Sequence, residues 1–139
     1  MSLGSGMRKV IVMCSMFMLI SGSFSALAAA KGLEYSARID AQGKVEAQSA
    51  HWIESVDHVS QTNYGASYKV NIVPGAFQKE PKYCHVSTYD NSTYEHTLYG
   101  IAKLSSKPTR ETVNVIGLML GLDKPSGDSS MSFYLVCGK

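Results

Sequence analysis

Beyond residue 30 the chain is cut into short apolar-rich runs, each closed within a few residues by turn formers. "EYSARI", "ASYKVNIV", "KYCHVSTY", "TLYGIAKL", "TVNVIGLML" and "MSFYLVC" alternate with segments such as "DAQGK", "SQTNYG", "PGAFQKEP", "SSKPTRE" and "GLDKPSGDSS". None sustains the 3.6-residue period that a long amphipathic helix requires, whereas strands punctuated in this way build antiparallel sandwiches. The expectation is an all-β chain, a single antiparallel β-sandwich of about seven to eight short strands.

Two strands are clearest. Tyr68, Val70 and Ile72 alternate with Lys69 and Asn71, and Met131, Phe133, Leu135 and Cys137 alternate with Ser132 and Tyr134, the period-2 pattern of a half-buried strand. "HWIESVDHV" is irregular: Trp52 and Val56 share a phase with Glu54 and His58, while Ile53 and Val59 take the other. A bulge or a short helical turn near its start accounts for that. "TVNVIGLML" loses its polar phase after Asn114, so Val115 and Met119 on one face and Ile116 and Leu118 on the other both call for cover, from a loop such as "GLDKPSGDSS" or from a second chain.

The first thirty residues read differently. Arg8 and Lys9 precede an uncharged, largely apolar run from Val10 to Ile20, and "SGSFSALAAA" follows with A-x-A sites at residues 26–28 and 28–30. These are the three regions of a secretory signal peptide; Ser21, Gly22, Ser23 and Ser25 stop the run short of the roughly 20 apolar residues of a retained anchor. "MSLGSG" before Met7 adds no charge and reads as a cloning remnant or an upstream start. The expectation is therefore a signal peptide over 1–30, one β-sandwich domain over 31–139, and a secreted or periplasmic bacterial protein with no membrane attachment after cleavage.

Cleavage removes Cys14 and two of the thirteen basic residues, leaving 13 − 2 = 11 against 11 acidic ones, so the formal charge falls from +2 to 0. No block of like charge remains to attract nucleic acid, which is excluded as a partner. The remaining 139 − 30 = 109 residues make one domain with a modest core that gains from a covalent staple.

Cys84 and Cys137 are the remaining cysteines. On a strand Cys84 shares a face with Val86 and opposes Tyr83 and His85, while Cys137 shares the phase of Met131, Phe133 and Leu135, so both point to the core. In an oxidising compartment two such cysteines join, and two buried thiols are the competing reading. Zinc would need four ligands and a compact pair; His51 and His58 stand seven apart, Cys84 and His96 twelve. A cysteine nucleophile with His85 or His96 as base would need an exposed thiolate. Neither a metal, a cofactor nor a catalytic set is expected, and no G-x-S-x-G, P-loop or G-x-G-x-x-G occurs.

Four of the eight tyrosines, Tyr83, Tyr89, Tyr94 and Tyr99, fall within seventeen residues and are interleaved with short polar side chains. Such a stretch can stack on a sugar ring and bond its hydroxyls, or form a protein-binding hot spot, with Tyr89, Asp90, Asn91, Tyr94, His96 and Tyr99 as the candidate binding residues. The simpler reading is a strand–turn–strand in which "DNS" turns the chain and tyrosines occupy β positions.

"WIESV" at 52–56, "GASYKV" at 65–70, "FQKEPKYC" at 77–84 and "FYLVC" at 133–137 together resemble the small β-sandwich modules at bacteriophage tail-fibre tips and in uncharacterised secreted bacterial proteins. The resemblance implies a binding or assembly module, frequently a homo-trimer, with cysteines in the strand after F-x-x-x-P and in the last strand, and no catalytic residues. A signal peptide departs from that pattern, since tail fibres assemble in the cytoplasm. A fainter similarity to H-type lectins, in the same F-x-x-x-P step, implies sugar binding. The functional expectation is an exported non-enzymatic module that recognises a surface glycan or a protein partner. The alternative is a structural subunit of a surface appendage or fibre-like assembly, with Ile116, Leu118 and Leu120 as its apolar strip.

Overall fold

A computed structural model of the chain describes residues 32–139; the signal peptide expected over 1–30 lies outside the described residues. Eight strands and one short helix follow in the order β1 (Glu34–Ile39), β2 (Val45–Gln48), β3 (Ile53–Gln61), β4 (Gly65–Ile72), β5 (Tyr83–Thr88), α1 (Tyr94–Tyr99), β6 (Gly100–Leu104), β7 (Thr112–Met119) and β8 (Phe133–Gly138). They form two four-stranded sheets, β2-β1-β8-β5 and β3-β4-β7-β6, with every pairing antiparallel. The all-β sandwich expected from the pattern is the fold.

The chain visits the sheets in hairpins. β1–β2 belongs to the first sheet, β3–β4 to the second, β5 returns to the far edge of the first, β6–β7 completes the second, and β8 closes the first between β1 and β5. Tight corners use the residues they need: Gly43 in the β1–β2 turn and Asn63 in the β3–β4 turn take φ of +85° and +65°, the left-handed region that glycine and asparagine tolerate best.

Alternation decides what is buried. Tyr68, Val70 and Ile72 of β4, Val113 and Val115 of β7, and Phe133, Leu135 and Cys137 of β8 face one another between the sheets with Trp52, Ile53 and Ile39. The irregular "HWIESVDHV" contains a bulge: pairing with β4 shifts register between Ile53 and Ser55, so that Ile53 and then Val56 both reach the core side. The bulge brings Ile53 into the phase of Val56, while Val59 stays on the outer face.

Cys84 and Cys137 are directly opposite in the β5–β8 ladder, 4.1 Å apart at Cα, and joined as a disulfide. Both are buried, as their phase requires. The bond holds an edge strand that has a hydrogen-bonded neighbour on one side alone, and it forbids the one-residue slip that would turn every side chain of β5 over.

Cover for β7 comes from two sources. On the core side, Gly117 lies so close to the loop before β8 that a Cβ there would stand 2.6 Å from the Ser129 carbonyl oxygen, and Met131 is buried beside it. On the outer side, Ile116 and Leu118 fold over the bare backbone of Gly65 and stay half-buried. One segment departs from the strand–turn–strand expectation. Residues 94–99 are helical, started by Thr93, whose hydroxyl accepts the His96 amide at 3.0 Å as an N-cap.

Candidate functional site

At the end of the sandwich where β5 leaves Thr88 and β8 begins at Phe133, four segments meet: the β1–β2 turn, the loop from β5 to α1, α1 itself, and the β7–β8 loop. They enclose an open cleft of about 340 Å³. Every lining residue except Ala41 carries a side-chain oxygen or nitrogen; three are carboxylates, Asp40, Asp90 and Asp128, and none is a lysine or arginine.

Asp90 organises one wall. Its Oδ1 accepts the Ser92 amide at 3.0 Å and the Ser92 hydroxyl at 2.5 Å, and its Oδ2 accepts the Ser132 amide at 2.9 Å across the cleft. His96 Nδ1 stands 3.3 Å from Asp90 Oδ1 and 2.8 Å from Ser92 Oγ. A serine, a histidine and an aspartate in contact invite comparison with a nucleophilic triad, but the geometry is wrong. A triad places its aspartate and its serine on opposite ring nitrogens, whereas Asp90 Oδ1 and Ser92 Oγ both lie on Nδ1 and Nε2 faces the Asp128 carbonyl at 3.4 Å. The cluster is a loop lock.

A second network forms the opposite wall. His58 Nε2 lies 2.8 Å from Ser130 Oγ, and the His58 ring stacks on Tyr68 at 4.8 Å. Asp128 Oδ1 accepts the Ser60 hydroxyl at 2.5 Å and the Ser130 amide at 2.9 Å. Beneath both walls the Tyr68 hydroxyl donates to the Ala41 carbonyl at 2.7 Å and accepts the Met131 amide at 2.9 Å, tying the β1–β2 turn to the β7–β8 loop. Burial raises the Tyr68 phenol above its ordinary value of 10.0.

Of the six candidate binding residues, four line this cleft. Tyr89 packs its ring against Tyr134 at 4.5 Å and donates to Glu46 at 3.0 Å; burial, together with that carboxylate, pushes its phenol up to about 12. Asp90 is buried, Asn91 is exposed at the rim, and His96 comes in from α1. Tyr94 and Tyr99 do not join them. They line a neighbouring recess of about 310 Å³ with Glu95, Leu122 and Lys124. Asp40, Gln42, Asp128, Ser130 and Ser132 were missed, because "DAQGK" and "GLDKPSGDSS" read as turns and nothing in the sequence shows that they meet.

Two carboxylates of these walls, the buried Asp90 and the exposed Asp128, sit below their ordinary value of 3.8. At Asp90 burial works against ionisation, but the hydrogen bonds from Ser92 and Ser132 and the proximity of His96 outweigh it; at Asp128 the bonds from Ser60 and Ser130 dominate. A folded-state pKa below the unfolded one means that the unfolded chain binds more protons on acidification. The stability these groups contribute is complete above about pH 4 and is lost as pH falls through their depressed folded values. Urea midpoints measured from about pH 6 down to about pH 2 should fall in that window, with a shallower fall for Asp90→Asn. Equal slopes for parent and variant would remove Asp90 from the account.

Among the described residues no group of three or more histidines, cysteines and carboxylates is placed to hold a metal ion, and no helix is long and apolar enough to cross a membrane. No protein-family model, curated protein or solved structure matches the chain.

Proposed function

We propose that this is an exported, non-enzymatic β-sandwich that recognises a surface glycan through its loop-end cleft. The lining of that cleft carries the reading: carboxylate, amide, hydroxyl and imidazole groups converge on a concave space with no basic side chain among them. Sugar hydroxyls are donors and acceptors at once, and carboxylates and carboxamides held by a second set of bonds are the groups that fix their orientation. The charge favours a neutral sugar over a uronic or sialic acid, which three carboxylates would repel. The buried disulfide is consistent with an oxidising compartment.

Binding to an array of neutral and acidic glycans tests this reading. Neutral hexoses should be retained and uronic acids not. Asn91→Ala together with Gln42→Ala, two exposed rim positions, should weaken binding by about 1 kcal/mol or more with little change in melting temperature. Unaltered affinity in that double variant would return the cleft to a purely structural role.

One observation favours the second reading, a structural subunit that assembles with copies of itself as the tail-fibre resemblance implies. On the outer face of the second sheet Val59, Ile116, Leu118 and Ile101 lie in neighbouring rows of the ladder, and Val59 is 57 % exposed. Light scattering that gives the mass of a trimer, and of one chain for Leu118→Glu, would support assembly; one chain's mass in the parent, unchanged on dilution, would reject it.

A further inference from the structure

Another hollow lies at the opposite end of the β5–β8 pair, where the chain enters β5, and its chemistry is the reverse of the polar cleft. It encloses about 270 Å³. Ala76 and Phe77 form its floor and Lys79, Lys82 and Lys139 its rim. Phe77 is buried and wedged edge-on against Tyr35 and Trp52, at centroid distances of 5.2 and 6.0 Å, so the floor is braced by the aromatic core.

The rim charges are not balanced. Glu80, the one acidic side chain on the lining, bonds Lys107 at 2.7 Å, and the Lys139 ammonium sits over the Tyr35 ring at 3.7 Å. Lys79 and Lys82 are exposed, and no salt bridge engages either among the described residues. An apolar floor under two uncommitted ammonium groups suits a small organic anion with an apolar body, and it suits a sugar poorly. At roughly 30 Å³ for each water-sized group the space admits on the order of ten non-hydrogen atoms.

We propose that this hollow binds an apolar-bodied carboxylate, either a medium-chain fatty acid or an aromatic acid, with the body against Phe77 and the carboxylate between Lys79 and Lys82. The site is independent of the glycan reading and stands or falls separately.

Octanoate titrated into the isotope-labelled protein is the probe. Amide shifts should move at Ala76–Lys82 and Lys139 and stay still around Asp90. Butyrate should bind more weakly, by about two- to fourfold for each methylene removed, and octanol at least about tenfold more weakly for want of charge. Lys79→Gln with Lys82→Gln should lose about tenfold or more in octanoate affinity without moving the melting curve, since both side chains are exposed. Absence of shifts at those amides, equal response to octanol, or unchanged affinity in the double variant overturns the proposal. Sedimentation with vesicles containing anionic lipid separates the two sources of such a group. Octanoate binding without vesicle binding supports a soluble ligand, and vesicle binding without octanoate binding overturns the site as stated.

Discussion

Replacing both Cys84 and Cys137 by alanine should produce the largest loss of stability of any change that leaves the aromatic core intact. The bond closes a loop across 53 positions, for which chain entropy alone corresponds to about 4 kcal/mol, comparable to the net stability of many small domains. The paired side chains are buried in the first sheet, so the variant also leaves β5 held by one ladder of hydrogen bonds at a sheet edge. Urea unfolding should show a much lower midpoint, and the parent should release no titratable thiol until it is reduced. Two thiols reacting in denaturant without reductant would contradict the pairing. The consequence reaches the cleft: Asp90 follows β5 and Ser132 precedes β8, so the register locked at Cys84–Cys137 is the register that lets Asp90 accept the Ser132 amide.

Tyr68→Phe removes one oxygen and should cost nearly as much per atom as any substitution in the molecule. The hydroxyl serves two backbone groups from different loops, the Ala41 carbonyl and the Met131 amide, and both lose a partner at once. The Met131 amide is buried and costs about 1–3 kcal/mol when left unsatisfied, while the Ala41 carbonyl lines the open cleft and loses about 0.5–1.5 kcal/mol with its bond, so a loss of about 2–4 kcal/mol is expected, read as a lower denaturation midpoint. Glycan affinity should fall with it, because the tie that holds two walls of the cleft is gone. Tyr134→Phe, a change at a tyrosine that is 45 % exposed, is the control and should stay within about 0.5 kcal/mol.

Much of this architecture is legible in the residues because strands announce themselves by a two-residue period. Met131, Phe133, Leu135 and Cys137 share a phase, and all are buried. The same period turns both Cys84 and Cys137 inward, and they are cross-strand neighbours. The conflict between apolar phases in "HWIESVDHV" is equally compatible with a bulge and with a short helical turn, and the strand holds the bulge. What escaped has physical reasons. Six residues make fewer than two turns of helix, too few for a 3.6-residue period to show, so α1 is betrayed by little more than the Thr93 cap and Glu95 in its first turn. The candidate site was half legible. Proximity along the chain grouped Tyr94 and Tyr99 with Asp90, yet the helix carries those tyrosines into a separate recess. Asp40, Asp128 and Ser132 come from segments far apart in sequence, and only the folding of the two sheets brings them to Asp90.

The most direct measurement is a titration of the isotope-labelled protein with neutral and acidic monosaccharides, followed at every backbone amide. One or more neutral hexoses should give shifts confined to Asp40–Gln42, Tyr89–Ser92, His96 and Asp128–Ser132, and the matching uronic acid none. Shifts elsewhere on the surface, or a stronger response to the uronic acid at these same amides, would contradict the glycan reading.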